Sequence, residues 1–173
     1  MARCKFIKNI ESIDRENLVY IDELGAANNI TALYGWAVRG LRSYAEQLGF
    51  ASKRRNIVAA YNLGSKELIA PFEYEGNTTK SLFTSWFKEI LCPNLKAGQV
   101  VILDNASFHK DEELHDLAEQ RGCRLIYLPP YSPDLNPIEK FWANFKRNLR
   151  RVIKKFDDFL DAITEAMRIT LSG

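Results

Sequence analysis

Apolar and polar positions divide this chain into short runs that change from strand-like to helix-like and back. Phe6, Ile7, Ile10 and Ile13 recur at helical spacing and predict a short N-terminal helix over 6–13. Leu18-Val19-Tyr20-Ile21 is a continuous apolar run that stops at Asp22-Glu23, and Gly25 to Asn29 reads as a turn or loop. Tyr34-Gly35-Trp36-Ala37-Val38 predicts a further strand, ended by Arg39-Gly40, and residues 41–52 read as a loop. Asn56–Tyr61 and Lys66–Glu73 flank Asn62-Leu63-Gly64-Ser65, two strand-like runs around an Asn/Gly turn, which is the pattern of a hairpin. Leu82, Phe83, Trp86, Phe87, Ile90 and Leu91 mark an amphipathic helix that starts near Asn77 or Thr78 and stops at Pro93. An apolar run, Val100–Leu103, then ends in Asp104. After it come a helix over about 110–121, a strand Arg124–Leu128 and a proline-rich turn Pro129–Pro137. Helices over 137–152 and 157–171 close the chain, the second with Asp157 and Asp158 in its first turn, where the helix dipole favours anions. Early strands followed by alternating helix and strand imply an α/β domain, a mixed sheet covered by helices.

Composition narrows the class. At 173 residues, with no repeat and no low-complexity linker, the chain reads as one domain able to bury a core. The 46% hydrophobic and 27% charged residues exclude a disordered chain, a collagen-like chain and a disulfide scaffold. No stretch approaches the roughly 20 apolar residues of a membrane span. Residues 1–12 are too charged and interrupted for a secretory signal. Cys4, Cys92 and Cys123 form an odd set without CxxC spacing, as expected of a reduced cytoplasmic compartment. With only His109 and His115, the chain is poorly equipped for a Cys/His zinc site. A formal net charge of +2 does not by itself announce a nucleic-acid partner.

The acids carry more information. Both strongly apolar runs, LVYID and VVILD, deliver an aspartate at their C-terminal end, and ligands of open α/β sheets sit outside the carboxyl ends of strands. Taken singly, Asp22 and Asp104 are better accounted for as strand terminators that bond to turn amides. Glu139 has a structural alternative too: Asn136 as N-cap, Pro137 at the first helical position and Glu139 as the capping-box partner. On a helical wheel Trp142, Phe145, Leu149 and Ile153 fall on one side of Glu139, at about −40° to −120°, and Arg147, Lys154, Lys140 and Arg151 on the other, at about +60° to +120°. Glu139 thus lies at the seam of an apolar and a basic face. Residues 139–155 hold seven Lys/Arg against one Glu, a run that is either a solvated face or a phosphate-binding one.

Asp22-Glu23, the DNASFH segment from Asp104, and LPPYSPDLNPIEKFW from Leu128 to Trp142 resemble the catalytic domain of bacterial insertion-sequence transposases of the mariner superfamily. The 34 residues between Asp104 and Glu139 match that family's spacing, and Tyr34-Gly35-Trp36-Ala37 matches too, so the similarity covers about residues 18–152. The resemblance implies a ribonuclease-H-like fold, a five-stranded mixed sheet with helices on both sides; the chain is then expected to divide into an N-terminal linker helix over 1–17 and the catalytic domain over 18–173. Asp22 would lie on the first strand, Asp104 just after the fourth and Glu139 on a later helix. It implies cleavage of DNA and joining of its ends by an Asp22/Asp104/Glu139 triad, with water as nucleophile for cleavage and a DNA 3′-hydroxyl for strand transfer. Crowded carboxylates repel unless a divalent cation resolves the conflict, and hard oxygen ligands favour Mg²⁺, with Mn²⁺ as substitute. Two ions are expected once DNA is bound, with Asp22 bridging, Asp104 on one ion and Glu139 on the other.

Further residues carry two readings each. Asn105 and His109 follow the second acid in the family's DNxxxH pattern, as site residues or as turn and helix-start residues. Glu23 alternates to the opposite face from Asp22 and reads as structural. Trp86 and Trp142 sit in core register. Lys146 and Arg150 share the Glu139 stripe and are the preferred phosphate pair, with Arg147 beside them; Lys53-Arg54-Arg55 is either a DNA-backbone contact or a solvated loop. Tyr131–Pro137 reads as a rigid connector that sets where Glu139 enters the site. Family members carry helix-turn-helix modules ahead of this domain, and 21 residues before Asp22 are too few for one. A catalytic fragment, a second reading frame and a degenerate copy are the expectations that follow. DNA ends and target are the expected partners, with a homodimer on DNA and a separate or upstream helix-turn-helix segment. The alternative function is a non-catalytic DNA-binding or dimerisation remnant.

Overall fold

Every strand must hide at least one apolar face, and the parity of the apolar residues decides which helices cover it. The computed structural model describes residues 2–27, 39, 54–106 and 111–172. The expected strand at 34–38, the 41–52 loop, Lys53 and His109 lie outside the described residues. Among the described residues five strands form one mixed sheet in the order β3-β2-β1-β4-β5: β1 Leu18–Ala27, β2 Arg54–Asn62, β3 Leu68–Tyr74, β4 Val100–Leu103 and β5 Arg124–Tyr127. β1 runs antiparallel to β2 and parallel to β4, β2 antiparallel to β3, and β4 parallel to β5. The helices are α1 Ala2–Glu11, α2 Lys80–Trp86, α3 Glu112–Gln120, α4 Ile138–Val152 and α5 Phe159–Leu171. The expected five-stranded mixed sheet between helices is therefore present.

On one face, the odd-numbered residues Val19 and Ile21 of β1 and Val101 and Leu103 of β4 join Val58, Phe83, Trp86, Phe87, Leu114 and Ala118 in a single apolar cluster beneath α2 and α3. The other face is divided. Leu18 and Tyr20 pack with Val100, Ile102, Leu128 and Phe6 of α1. Leu24 and Ala26, further along β1, pack with Ile57, Ala59 and the inner sides of α4 and α5. Trp86 and Trp142 are core residues, as their register predicts; the Trp86 indole donates to the Ala70 carbonyl at 2.9 Å.

Several boundaries differ from the sequence reading. β1 does not stop at Asp22 but continues through Gly25 to Ala27, because β2 supplies an unbroken antiparallel partner as far as Ala27↔Arg54. Gly25 is a strand residue rather than a turn residue, paired with Asn56 of β2, and the end of the Arg54 side chain lies beside it. α1 starts at Ala2 rather than at residue 6 and ends before Ile13. In the hairpin, Lys66 is part of the turn with φ 60° rather than of the second strand, and the Asn62 side-chain carbonyl accepts from the Gly64 and Ser65 amides. The helix expected from Asn77 or Thr78 to Pro93 is capped by Thr79, whose hydroxyl accepts from Leu82 N–H, and it changes character after Trp86. Residues Phe87–Leu91 form a π turn and Cys92–Asn94 a 3₁₀ turn, the apolar spacing being the same in either winding. Asp158 caps α5 through the Leu160 amide, so the helix begins at Phe159 rather than at 157. Among the described residues no helix is long and apolar enough to cross a membrane.

Candidate active site

The acids come together because β1 outruns β4. The parallel ladder between them holds a constant offset of 82 residues and ends at Tyr20↔Ile102. Continuing that offset by two residues sets Asp22 opposite Asp104, on strands about 4.8 Å apart. Both are even-numbered on strands whose even positions face α1 and α4, so both point to the divided face, into the gap between its two apolar clusters. Asp22 is thus the fifth of ten residues in β1 and not its last, as the sequence reading had it. It stands where the sheet narrows, with a partner strand on one side only.

Glu139 enters from the first turn of α4. Of the residues its helical wheel placed inward, Trp142, Phe145 and Leu149 are buried, together with Ile138, Phe141 and Val152, while Ile153 is half-buried in the turn after α4; Lys140, Arg147, Arg151 and Lys154 are exposed. Locking the inner side of α4 fixes the azimuth of Glu139. The capping box is not made. Pro137 is the N-cap, no side chain caps the helix, and Asn136 is buried with its side-chain carbonyl unpartnered. Glu139 is exposed and available to the cavity instead.

Asp22, Asp104 and Glu139 line one cavity of about 260 Å³ with Asn105, Ala106, Leu128, Pro129, Tyr131, Ser132, Pro133 and Asn136. Burial pushes the Asp22 carboxyl up to about 7 from the ordinary 3.8, against a hydrogen bond from the Glu23 backbone, and the charges of Glu139, Glu23 and Asp104 push the same way. Asp104 accepts the Ala106 amide at 3.0 Å, which fixes its turn. Asn105 uses its side-chain amide to tie this turn to the Leu128 carbonyl at the end of β5, at 2.8 Å, the structural half of its two readings. Among the described residues no three His, Cys, Asp or Glu side chains are close enough to hold a single ion between them.

The basic residues divide. Lys146 and Arg150 lie half-buried along the Glu139 stripe of α4, and the Arg150 Nε is buried without a hydrogen-bond partner; Arg147 is exposed. Arg54 and Arg55 are not brought to the carboxylates. Arg54 pairs with Ala27, and its guanidinium lies beside Gly25, three residues beyond Asp22 and at a position of the opposite parity. Arg55 is engaged by Glu75 at 2.7 Å and Glu73 at 3.4 Å. A larger groove of about 1150 Å³ runs past Arg15, Glu16, Lys66, Glu67, Lys96 and Lys140, where charges of both signs alternate.

One participant escaped the sequence reading. Arg3 of α1 forks onto the Asp134 carboxylate at 2.6 and 2.9 Å and donates to Ser132 Oγ at 3.0 Å, clasping the connector that leads to Glu139. The only sequence signal was an arginine near the start of an amphipathic helix, and its partner is 131 residues away.

Comparison with known proteins accounts for this assembly. A family model described as DDE superfamily endonuclease matches residues 17–161. The chain is 26% identical to the insertion element IS630 uncharacterized 39 kDa protein of Shigella sonnei over 157 residues, covering 84% of this chain and 45% of that protein. It is 29% identical to the Tc1 transposase of Caenorhabditis elegans over 84 residues, 49% of this chain and 29% of that one. It therefore spans less than half the length of these curated relatives. In structure it resembles the Mos1 transposase of a paired-end complex with the left transposon end, with a TM-score of 0.64 at 14% identity over 98% of this chain and 58% of that chain. That likeness identifies the helix-flanked mixed sheet as ribonuclease-H-like. With the match extending over most of its length, the chain belongs to the DDE superfamily of endonucleases.

Proposed function

We propose that this domain performs metal-dependent phosphodiester cleavage and strand transfer on DNA, with Asp22, Asp104 and Glu139 as its catalytic carboxylates. The observation that carries the proposal is the convergence of three acids from β1, the end of β4 and the start of α4 on one cavity, in a gap of an otherwise apolar face. A scaffold with no use for that charge would fill the gap with apolar side chains; this one accepts a carboxyl held up to about 7.

The donor set suits Mg²⁺ or Mn²⁺. All three donors are hard carboxylate oxygens, and a cation would offset the burial and like-charge repulsion that raise the Asp22 carboxyl. Asp22, Asp104 and Glu139 would hold the ions, which would bind more fully with phosphate oxygens of the DNA and waters as further ligands. When bound, the ions supply positive charge to the attacking and leaving oxygens of an in-line displacement. The protein's own work is positional. The β1–β4 register sets the two aspartates side by side, Asn105 pins the turn that carries Asp104, and the buried side of α4 aims Glu139. Lys146, Arg150 and Arg147, on the helix that carries Glu139, would hold DNA phosphates. Transposon ends and target DNA are the substrates this reading implies, supported by the relatives' transposase names and by the end-bound Mos1 structure. Pairing of two copies on DNA belongs to the same proposal.

The test is nicking of supercoiled and linear DNA by the full chain with Mg²⁺ or Mn²⁺, alongside Glu139→Gln and Asp22→Asn. Cutting by the wild type that falls at least about a thousandfold in both variants, with DNA affinity retained, is expected. Wild-type binding without cutting under either ion, and without any effect of Glu139→Gln, would leave a non-catalytic DNA-binding module. Mn²⁺ anomalous scattering gives an independent reading, with a peak against Asp22 and Asp104 or Glu139 expected.

A further inference from the structure

The rim of the carboxylate cavity holds an aromatic ring that the core does not use. Tyr131 is 100% exposed, the largest exposure among the big apolar side chains of the described residues. Its backbone stands at φ 53°, in the left-handed region that residues with bulky side chains rarely adopt. An aromatic ring gains most from burial, so a strained backbone that holds one in water needs a reason.

A slack loop is not the reason, because the segment is fixed on both sides of Tyr131. Ser132 is 4% exposed; its hydroxyl donates to the Pro130 carbonyl at 3.1 Å and accepts from Arg3 at 3.0 Å. Arg3 also clamps Asp134, the Leu135 amide donates to the Ser132 carbonyl at 3.1 Å, and Pro130 and Pro133 restrict the backbone on either side. Ahead of the ring, Leu128 is buried and its carbonyl is held by Asn105. The geometry is over-determined, and what it determines is that the ring faces outward while Tyr131 still lines the cavity shared by Asp22, Asp104 and Glu139.

We infer that Tyr131 is a stacking platform for a nucleobase next to the phosphodiester that lies at the carboxylates. The inference rests on the proposed function and deepens it. A strand whose phosphate reaches the cavity presents the adjoining base to the rim, and base-on-aromatic stacking needs a flat, rigid, exposed ring and no sequence-specific hydrogen bond. Stacking fixes the sugar–phosphate step relative to the acids, so that Tyr131 contributes position while the carboxylates contribute chemistry. The ring itself carries the contact and the phenol hydroxyl does not, so Phe is expected to replace Tyr and Trp to replace either.

The test uses the full chain and short DNA duplexes with a single-stranded end, bearing 2-aminopurine at each position flanking the cleaved phosphate, read with and without Mg²⁺. Wild type, Tyr131→Phe and Tyr131→Trp should quench the probe at one position. Tyr131→Ala and Tyr131→Gly should lose that quench and bind roughly 5- to 100-fold more weakly. The glycine variant suits the left-handed backbone, so its loss of signal is not a folding failure. Glu139→Gln should keep the quench and lose cutting, which separates this inference from the catalytic proposal: a wild type that stacks but never cuts breaks only the latter. Quenching that survives Tyr131→Gly at every position, or that Tyr131→Phe abolishes as fully as glycine does, overturns the inference. So does unchanged quenching accompanied by a changed mass of the DNA-free protein in light scattering, which would make the ring a protein–protein contact.

Discussion

Beneath α2 and α3 the sheet is covered without interruption, from Val19 and Val58 to Leu114 and Leu125; on the opposite face the cover parts between the α1 cluster and the α4–α5 cluster, and the gap is where Asp22 and Asp104 point. The same two strands build both faces, one from their odd residues and one from their even residues. What separates the two faces is therefore the pairing of two polar residues, one from each strand, at the same height: Asp22 and Asp104. The continuous face supplies stability. The parted face gives some of it up, since a half-buried carboxylate pushed up to about 7 opposes folding at neutral pH.

This contrast can be broken by experiment. The largest effect on stability is expected from the continuous face: Phe87, fully buried there, should cost about 3–5 kcal/mol as Phe87→Ala in chemical denaturation, with cutting per folded molecule unchanged. Comparable loss of turnover per folded molecule would mean that the faces are not separable. On the parted face the sign reverses. Because the Asp22 pKa is raised in the folded state, the native protein holds a proton that the unfolded chain releases, and stability falls as pH rises from about 3.8 to about 7. Without divalent ions, Asp22→Asn should therefore leave stability unchanged near the lower limit and raise it by about 2–4 kcal/mol above the upper one. A pH-independent difference in melting temperature would remove Asp22 from the gap. Smaller again, Lys146→Ala should weaken DNA binding a few-fold for all sequences and lower the salt slope by about one. The smallest effect belongs to the rim. Tyr131→Gly should raise stability by about 0.5–1 kcal/mol by relieving the left-handed backbone, net of the extra freedom of the unfolded chain.

How much of this could be read in the amino acids alone depended on the range of the cause. The parity of LVYID and VVILD is local, and so is the 3.6-residue period of α4; together they give the sheet, the facing of the aspartates and the inner side of the Glu139 helix. The length of β1 could not be read locally. Gly25 looks like a turn until β2 is seen to pair with it and beyond it. The capping box at Asn136 was a sound local motif that lost to packing, since Asn136 is 5% exposed and its side-chain carbonyl makes no hydrogen bond to the helix amides. The clasp from Arg3 to Asp134 joins residues 131 positions apart, beyond the reach of any pattern within one element. In α2 the apolar spacing was legible but the π turn after Trp86 was not, because the same positions face inward in both windings.

The 82-residue offset between β1 and β4 also sets how this chain tolerates insertions and deletions. The connections that lead from β1 through β2 and β3 to β4 can lengthen or shorten at little cost, since the ladder and not the intervening contour fixes the distance between the two aspartates. A single residue added inside β4 between Val100 and Asp104 is different. It would turn Asp104 to the α2–α3 face, drive a carboxylate into the continuous core and abolish the site in one step. Loop length is thus a free variable of this domain, whereas the number of residues in β4 is not.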